Sequence, residues 1–529
     1  NSNVAQVLSG SMNVDVENFD AAAIDLLERL PSADYVAVDL EMTGIHAPAG
    51  SPGVLDGDSP EARYEKCARI AAHYGMIQVG VALFTKAPGD TVGSARWVAR
   101  AYNFYVFPWP CEHSGAFHSV SFAIDSSAIN FNRGHAMDFG RWMSKGVSYT
   151  DGPTEDRLKE ALLGQPKRDT NERVTVNRPA DKRVIDQFMT EVAAFDARKE
   201  KELKVPMLNK FLIRAIRESV QDKYPHLTID KRDLPGQQPP FERVVLNVSE
   251  VEKEEVVQAG KEKNRKLLER IVGFRKVWTA LAQQKKPLVV HNGLYDLLFL
   301  YHWLEAPLPR TLVEFKEGIH KLFPVIYDTK TLVSGPDPPL GNDTWLEALG
   351  KRLGSSTLCE LDQDSIRYAQ SAAHEAGYDA WMTGKVFSFF LAQADQPPSA
   401  NLLFMIRNLW MLNLAPGKDP LVEPAPHAIF QLDSIEAGIQ IQQLRMMLRP
   451  VLDMVPNAAG VDIKWTGDRA ALLVVKSKDA AADEALRLKL VQWIQDHEVR
   501  GLLRGRSASH SGEPAAKRHR PDSVVAGKL

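Results

Sequence analysis

The chain has 529 residues, of which 44% are hydrophobic and 25% charged, and its formal net charge is −3. Such a length allows about two to four domains with cores of their own, and the near-neutral balance excludes a protein that grips nucleic acid over its whole surface. The three cysteines (Cys67, Cys111, Cys359) form no Cys-x-x-Cys pair, which excludes a zinc knuckle or a redox dithiol. The segment 402–414 is broken by Arg407 and Asn408, and no longer apolar run exists, so no membrane span is expected. The chain opens on Asn1 without a secretory leader, and the expectation is a processed or appended end.

In chain order, Ala21, Ile24, Leu27 and Leu30 have helical spacing and predict a helix over 18–30. A buried strand follows over 35–40, a Gly/Pro/Ser-rich loop over 46–60, a helix over 61–72, and strands over 76–85 and 101–107. The composition turns charged over 147–180, then gives a helical pattern over 184–223 and a strand over 242–248. One long charged helix is expected over 250–282, a strand over 287–290 and a helix over 295–304. The α/β alternation continues through 325–331, 345–353 and a helix over 376–395. After a Pro-rich linker at 415–427 come strand 428–432, helix 435–448, strands 461–465 and 470–475, and helix 480–498. That last order suits a small RNA-recognition-type α+β domain, and residues from 504 read as a disordered basic tail.

Asp39 and Glu41 lie at i and i+2 near the end of the first strand, so both point to one face. An acid pair leaving a buried strand is costly unless compensated, and Mg²⁺, which takes oxygen ligands, compensates it. In His291-Asn-Gly-Leu-Tyr-Asp296 a strand runs into a helix, with Asp296 in the first turn, Asn292 as the expected cap and His291 supporting from behind. In His374-Glu-Ala-Gly-Tyr-Asp379, Asp379 sits early in the last helix and His374 on the loop before it. Each piece alone is commonplace. Four acids and one imidazole at three element ends are the set that two-metal phosphodiester hydrolysis needs, with histidine taking a water's proton near neutral pH.

These motifs resemble the DEDD exonuclease superfamily in its histidine-containing branch. Tyr35-Val-Ala-Val-Asp-Leu-Glu-Met-Thr-Gly-Ile45, Asn103-Phe-Tyr-Val-Phe-Pro108, Tyr327-Asp-Thr-Lys330 and His374-Glu-Ala-Gly-Tyr-Asp-Ala380 resemble the poly(A)-specific ribonuclease (PARN) family, over about residues 17–400 and more faintly beyond. The resemblance implies an α/β, ribonuclease-H-like mixed-sheet nuclease at 13–179 and 250–412, with an inserted single-strand-binding α+β module at 180–249. An RRM-like domain at 425–503 and a basic tail at 504–529 complete the expected organisation. It implies a Mg²⁺-dependent 3′-to-5′ exoribonuclease, a deadenylase releasing 5′-AMP from single-stranded 3′ poly(A). Asp39, Glu41, Asp296 and Asp379 would hold two Mg²⁺ ions, and His374 would be the general base. Met42, Ile45 and Lys330 would line the adenylate channel, and Trp465 would stack the 7-methylguanosine cap.

A homodimer in nucleus and cytoplasm is also implied, and Lys517-Arg-His-Arg-Pro521 is a nuclear-localisation candidate. Two departures stand out: Met42 replaces the family's usual aromatic, and the insert lacks an intact Arg-xxx-His motif, keeping only Arg214, Arg217 and Lys223. A 3′ trimmer of small non-coding RNA, an inactive RNA-binding scaffold and a DNA-proofreading exonuclease are the other readings.

Overall fold

The computed structural model describes residues 13–87, 96–113, 116–164, 175–198, 200–233, 241–247, 250–334, 338–354, 358–369, 372–393, 398–422, 428–433, 435, 438–452, 458–477 and 504–507. They form two compact units, one of residues 1–109, 119–153 and 272–529, the other of 110–118 and 154–271.

The first unit is built on a seven-stranded mixed sheet. Its strands are β1 (Asn13–Val14), β2 (Tyr35–Met42), β3 (Met76–Lys86), β4 (Trp97–Tyr105), β5 (Leu288–Val290), β6 (Ile326–Asp328) and β7 (Cys359–Leu361). The order is β1-β4-β3-β2-β5-β6, with β7 sharing the outer edge of β4. The β2–β3 and β3–β4 pairs are antiparallel; β2–β5 and β5–β6 are parallel. Because β2, β5 and β6 run the same way, their carboxyl ends meet at one edge of the sheet. Asp39 and Glu41 of β2 and Asp296, which follows β5, are therefore delivered to one place.

Alternate residues of β2 serve two cores. Val36, Val38 and Leu40 pack with helices α1 (Phe19–Arg29) and α2 (Pro60–His73). Tyr35 and Ala37 pack on the opposite face with Tyr378, Trp381 and Phe387 of the helix Ala376–Gln393, numbered α6 below. Period-two alternation puts Asp39 and Glu41 on this second face. Between α2 and α6 lie α3 (Ser126–Gly134), α4 (Leu294–Leu300) and α5 (Leu346–Leu353).

Gly80 pairs with Asp39 across the β2–β3 ladder, and a Cβ there would lie 1.9 Å from the Ala376 carbonyl oxygen. Only glycine lets the N-terminus of α6 come down onto the sheet beside the acid pair. Gln78, opposite Glu41, and Asn103, on β4 opposite Gly80, complete the seat. Their side-chain oxygens accept from the backbone N–H groups of Ala376 and Gly377, at 3.2 Å each. Both amides are buried, and both satisfy helix-end donors that would otherwise be orphaned.

The C-terminal part carries an antiparallel sheet in the order Ala458–Gly467, Ala470–Ser477, Ala428–Asp433, Arg504–Ser507, with a helix Ile441–Leu452. Leu472, Val474 and Ile429 of this sheet pack on Leu409, Trp410 and Leu421. The Gly57 N–H donates to the Trp465 carbonyl at 3.0 Å. The second unit has a sheet of Glu202–Val205, Phe241–Asn247 and Leu227–Asp233 in that order, and helices Pro179–Ala197 and Lys210–Lys223 over a core including Phe188, Val192, Ile216 and Val245. The Asn264 amide donates to the Leu162 carbonyl at 2.9 Å, so the unit takes in helices on both sides of the expected 180–249 insert.

Several elements differ from expectation. The helix expected over 250–282 is two, Glu250–Val272 and Arg275–Gln284, because Gly273 turns at φ +46. A Cβ at 273 would meet the Ser148 carbonyl at 2.0 Å, a close approach that an unbroken helix could not make. The helix expected over 295–304 ends at Leu300 and finishes in a π turn, Tyr301–Glu305. The C-terminal helix starts at Ile441 rather than 435, after the left-handed turn at Gly438. Arg504–Ser507, expected in the disordered tail, form an edge strand on Ala428–Asp433; backbone pairing builds it where the side chains give no apolar signal. The expected helix over 480–498 and residues 508–529 lie outside the described residues. Among the described residues no helix is long and apolar enough to cross a membrane.

Gly80→Ala is expected to destabilise the protein by ~1–3 kcal/mol or more, since backbone rather than a flexible side chain blocks the new methyl. A lowered midpoint in urea unfolding checks this; an unchanged midpoint contradicts the seating of α6.

Candidate active site

Asp39 and Glu41 stand half-buried near the end of β2. Asp296, buried in the first turn of α4, is reached by a backbone hydrogen bond at Leu40, between those two acids. Asp379, in the first turn of α6, accepts from the His374 backbone N–H at 3.0 Å. His374 itself holds a left-handed backbone, φ 68. Ligand atoms of Glu41, His374 and Asp379 lie within 4.8 Å of one another. Asp39 and Asp296 interact electrostatically with the same acids, so the five residues named from the sequence form one cluster.

The electrostatics of that pocket are one-sided. Burial, then repulsion from Asp296, Asp379 and Glu41, pushes the Asp39 carboxyl well above the usual carboxylate range. Glu41 is raised by burial and by Asp379 and Asp296. Burial pushes Asp296 and Asp379 up to about 7, against backbone hydrogen bonds that favour their charged forms. No cationic side chain is among the causes of these four shifts. This is the signature of a hard-oxygen donor set awaiting positive charge, and divalent cations fit it.

His374 has the opposite tendency. Burial, then the neighbouring His135, lowers its pKa, while Glu347 opposes them. The His135 and His374 ring centroids are 4.1 Å apart, and Phe131 lies 4.7 Å from His374. The His135 Nδ1 lies 2.9 Å from the Phe131 carbonyl, to which it donates at the end of α3. His374 is therefore a neutral imidazole at neutral pH, able to accept a proton.

Around the cluster, the structure assigns positions that the sequence did not. Asp328 is buried at the end of β6, and burial raises its carboxyl to about 6. It accepts from the backbone N–H groups of Asn292 (2.8 Å), Lys330 (2.9 Å) and Phe404 (2.9 Å), tying the β5 turn to the β6 end. Asn292, expected to cap α4, instead adopts φ 58, and Gly293 is the N-cap. The left-handed turn lets the Asn292 N–H face Asp328, which a capping conformation would not. His291 Nδ1 sits 2.9 Å from the Thr329 hydroxyl, and burial lowers its pKa to about 3. Gln78, Asn103, His135 and Asp328 were missed. Asp328 and Asn103 stood in motifs already singled out, though not with these roles, and Gln78 and His135 gain their places from tertiary register alone.

The remaining expected residues are placed as follows. Met42 is half-buried, packed against the core, and Ile45 is exposed. The Lys330 ammonium donates to the Thr344 carbonyl at 2.8 Å and its hydroxyl at 2.7 Å. Trp465 is half-buried in the C-terminal sheet.

A mixed sheet that gathers four acids beside an imidazole suits a metal-dependent nuclease, and this chain belongs to the CAF1 family ribonucleases, whose family model matches residues 14–387. It is 28% identical over 416 residues to the poly(A)-specific ribonuclease PARN of Bos taurus, covering 74% of this chain and 64% of that one. It is 25% identical over 400 residues to the poly(A)-specific ribonuclease PNLDC1 of Mus musculus, covering 71% of this chain and 70% of that one. The chain thus spans a little under two thirds of the length of the bovine relative. The solved Mg²⁺- and Mn²⁺-bound structure of S. pombe Pop2p matches 74% of this chain and 98% of its own, at 14% identity and a TM-score of 0.37.

If repulsion dominates the pocket, Asp39→Asn should stabilise the metal-free protein by roughly 1–3 kcal/mol. Thermal unfolding in EDTA and in Mg²⁺ checks this. The variant should melt higher than wild type in EDTA and gain less from Mg²⁺; a lower midpoint in EDTA contradicts the account.

Proposed function

We propose that the chain is a 3′-to-5′ exoribonuclease that removes adenylates from single-stranded RNA 3′ ends and releases 5′-AMP, with two Mg²⁺ ions held by Asp39, Glu41, Asp296 and Asp379. The observation that carries this reading is the convergence of four mutually repelling carboxylates beside one neutral imidazole. When bound, the cations supply the positive charge that offsets the carboxylates and balances the phosphate's developing negative charge.

The chain's own residues do the rest. Asp379 fixes the His374 loop by accepting its backbone N–H, and the left-handed turn presents the ring to the pocket. His374 takes the proton of the attacking water at its free ring nitrogen, and burial keeps that nitrogen unprotonated beforehand. Gln78 and Asn103 hold the helix end from which Asp379 projects. Asp328 holds the turn that places Asp296. Met42, Ile45 and Lys330 line the adenylate channel in this reading.

A thioether at Met42 in place of a ring favours a second reading, a 3′ trimmer with looser base preference, because stacking on a ring contributes roughly 1–3 kcal/mol per base. The homodimer and cap contact at Trp465 rest on the family resemblance. The basic piece 517–521 is the support for a nuclear as well as cytoplasmic location.

Degradation of 5′-labelled RNA oligomers ending in A, C, G or U tests the proposal. Stepwise shortening that requires Mg²⁺ is expected, fastest on A tails and reduced at least ~10³-fold by Asp39→Asn. Equal rates on all tails would select the trimmer; no shortening in Mg²⁺ would remove both.

A further inference from the structure

We propose that Trp345 is a base-stacking residue of the RNA cleft, taking the face of a nucleobase near the 3′ end of the strand; the proposal rests on the exoribonuclease reading above. Trp345 is the N-cap residue of α5 and is 72% exposed. A free indole face of this size is a ready platform for any base, since every base offers a π surface.

One contact places this ring beside the strand ends that carry the acids: Lys330, which follows the β6 end and the buried Asp328. Its ammonium lies 5.4 Å from the Trp345 ring centroid, while Thr344, the preceding residue, accepts from it twice. Phe404 lies on Lys330 as well, with its ring centroid at 5.9 Å. The lysine therefore fixes the loop that carries the indole, and it sets a positive charge beside the ring where a phosphate would follow a stacked base.

Met42, at the end of β2, is half-buried and packed on the core, whereas the Trp345 ring is exposed.

The bland role for this ring is to cover Lys330, which leucine could also fill. The test therefore compares Trp345→Ala, Trp345→Leu and Trp345→Phe in the full chain. Binding of a labelled nine-nucleotide oligoadenylate is read by fluorescence anisotropy without divalent ions, and kcat and KM are read with Mg²⁺. The Ala and Leu variants should weaken binding and raise KM by roughly 5- to 150-fold, with kcat within about twofold of wild type, and Phe should restore most of the loss. An oligomer made abasic at the stacked position should bind wild type and Trp345→Ala alike.

Equal dissociation constants for wild type and the Leu variant would overturn the proposal. If wild type binds RNA through Trp345 but hydrolyses nothing, the exonuclease reading fails and the stacking role stands. If wild type hydrolyses RNA but the Ala and Leu variants bind as well as it does, the reverse holds. If wild type binds no RNA, both are overturned. Thermal melting of each variant shows whether it is folded, and Leu, which keeps the apolar cover, serves if Ala does not fold.

Discussion

Four carboxylates confined to one pocket repel each other, and much of the local architecture of this protein acts to hold them there. Burial raises all four pKa values, with repulsion from within the group at Asp39 and Glu41 and from neighbouring acids at Asp296 and Asp379, so the fold works against its own site. The opposing forces are specific. Parallel β2, β5 and β6 carry their acids to one sheet edge, and the large apolar cores on either face of β2 make that edge rigid. Gly80 admits α6 to the sheet, and two buried amides, Gln78 and Asn103, receive its N-terminal N–H groups without adding another negative charge. Carboxylates in those two places would have capped the helix as well and deepened the repulsion.

The same constraint explains why the second layer is made as it is. Asp328 is a further acid close to the cluster, fully buried, and it is tolerated because three backbone N–H groups point at it. His374 is held toward its neutral form by burial and by a second imidazole, which suits the proton-accepting role proposed for it. Stability and chemistry are set against each other here, as expected where a site is organised for charge it does not itself supply.

What the sequence made legible was the part carried by local pattern. The alternation in β2 put Asp39 and Glu41 on one face, and the element order placed Asp296 and Asp379 in first turns. What stayed hidden came from tertiary register. Gly80, Gln78 and Asn103 look like ordinary strand residues until the ladder sets them opposite Asp39, Glu41 and Gly80. His135 gains meaning only when α3 brings it to 4.1 Å from His374. Asn292 looked like a cap because asparagine caps are common, yet asparagine also tolerates the left-handed turn, and the buried Asp328 decided between the two. In the C-terminal part, the strand Arg504–Ser507 has no apolar alternation to announce it; only the open edge of Ala428–Asp433 does.

The most direct test of the central claim is the location of cations by anomalous diffraction from crystals soaked in Mn²⁺. Two peaks are expected within ~2.0–2.4 Å of carboxylate oxygens from Asp39, Glu41, Asp296 and Asp379, about 4 Å apart. Strong peaks elsewhere with none between these four side chains would contradict the account.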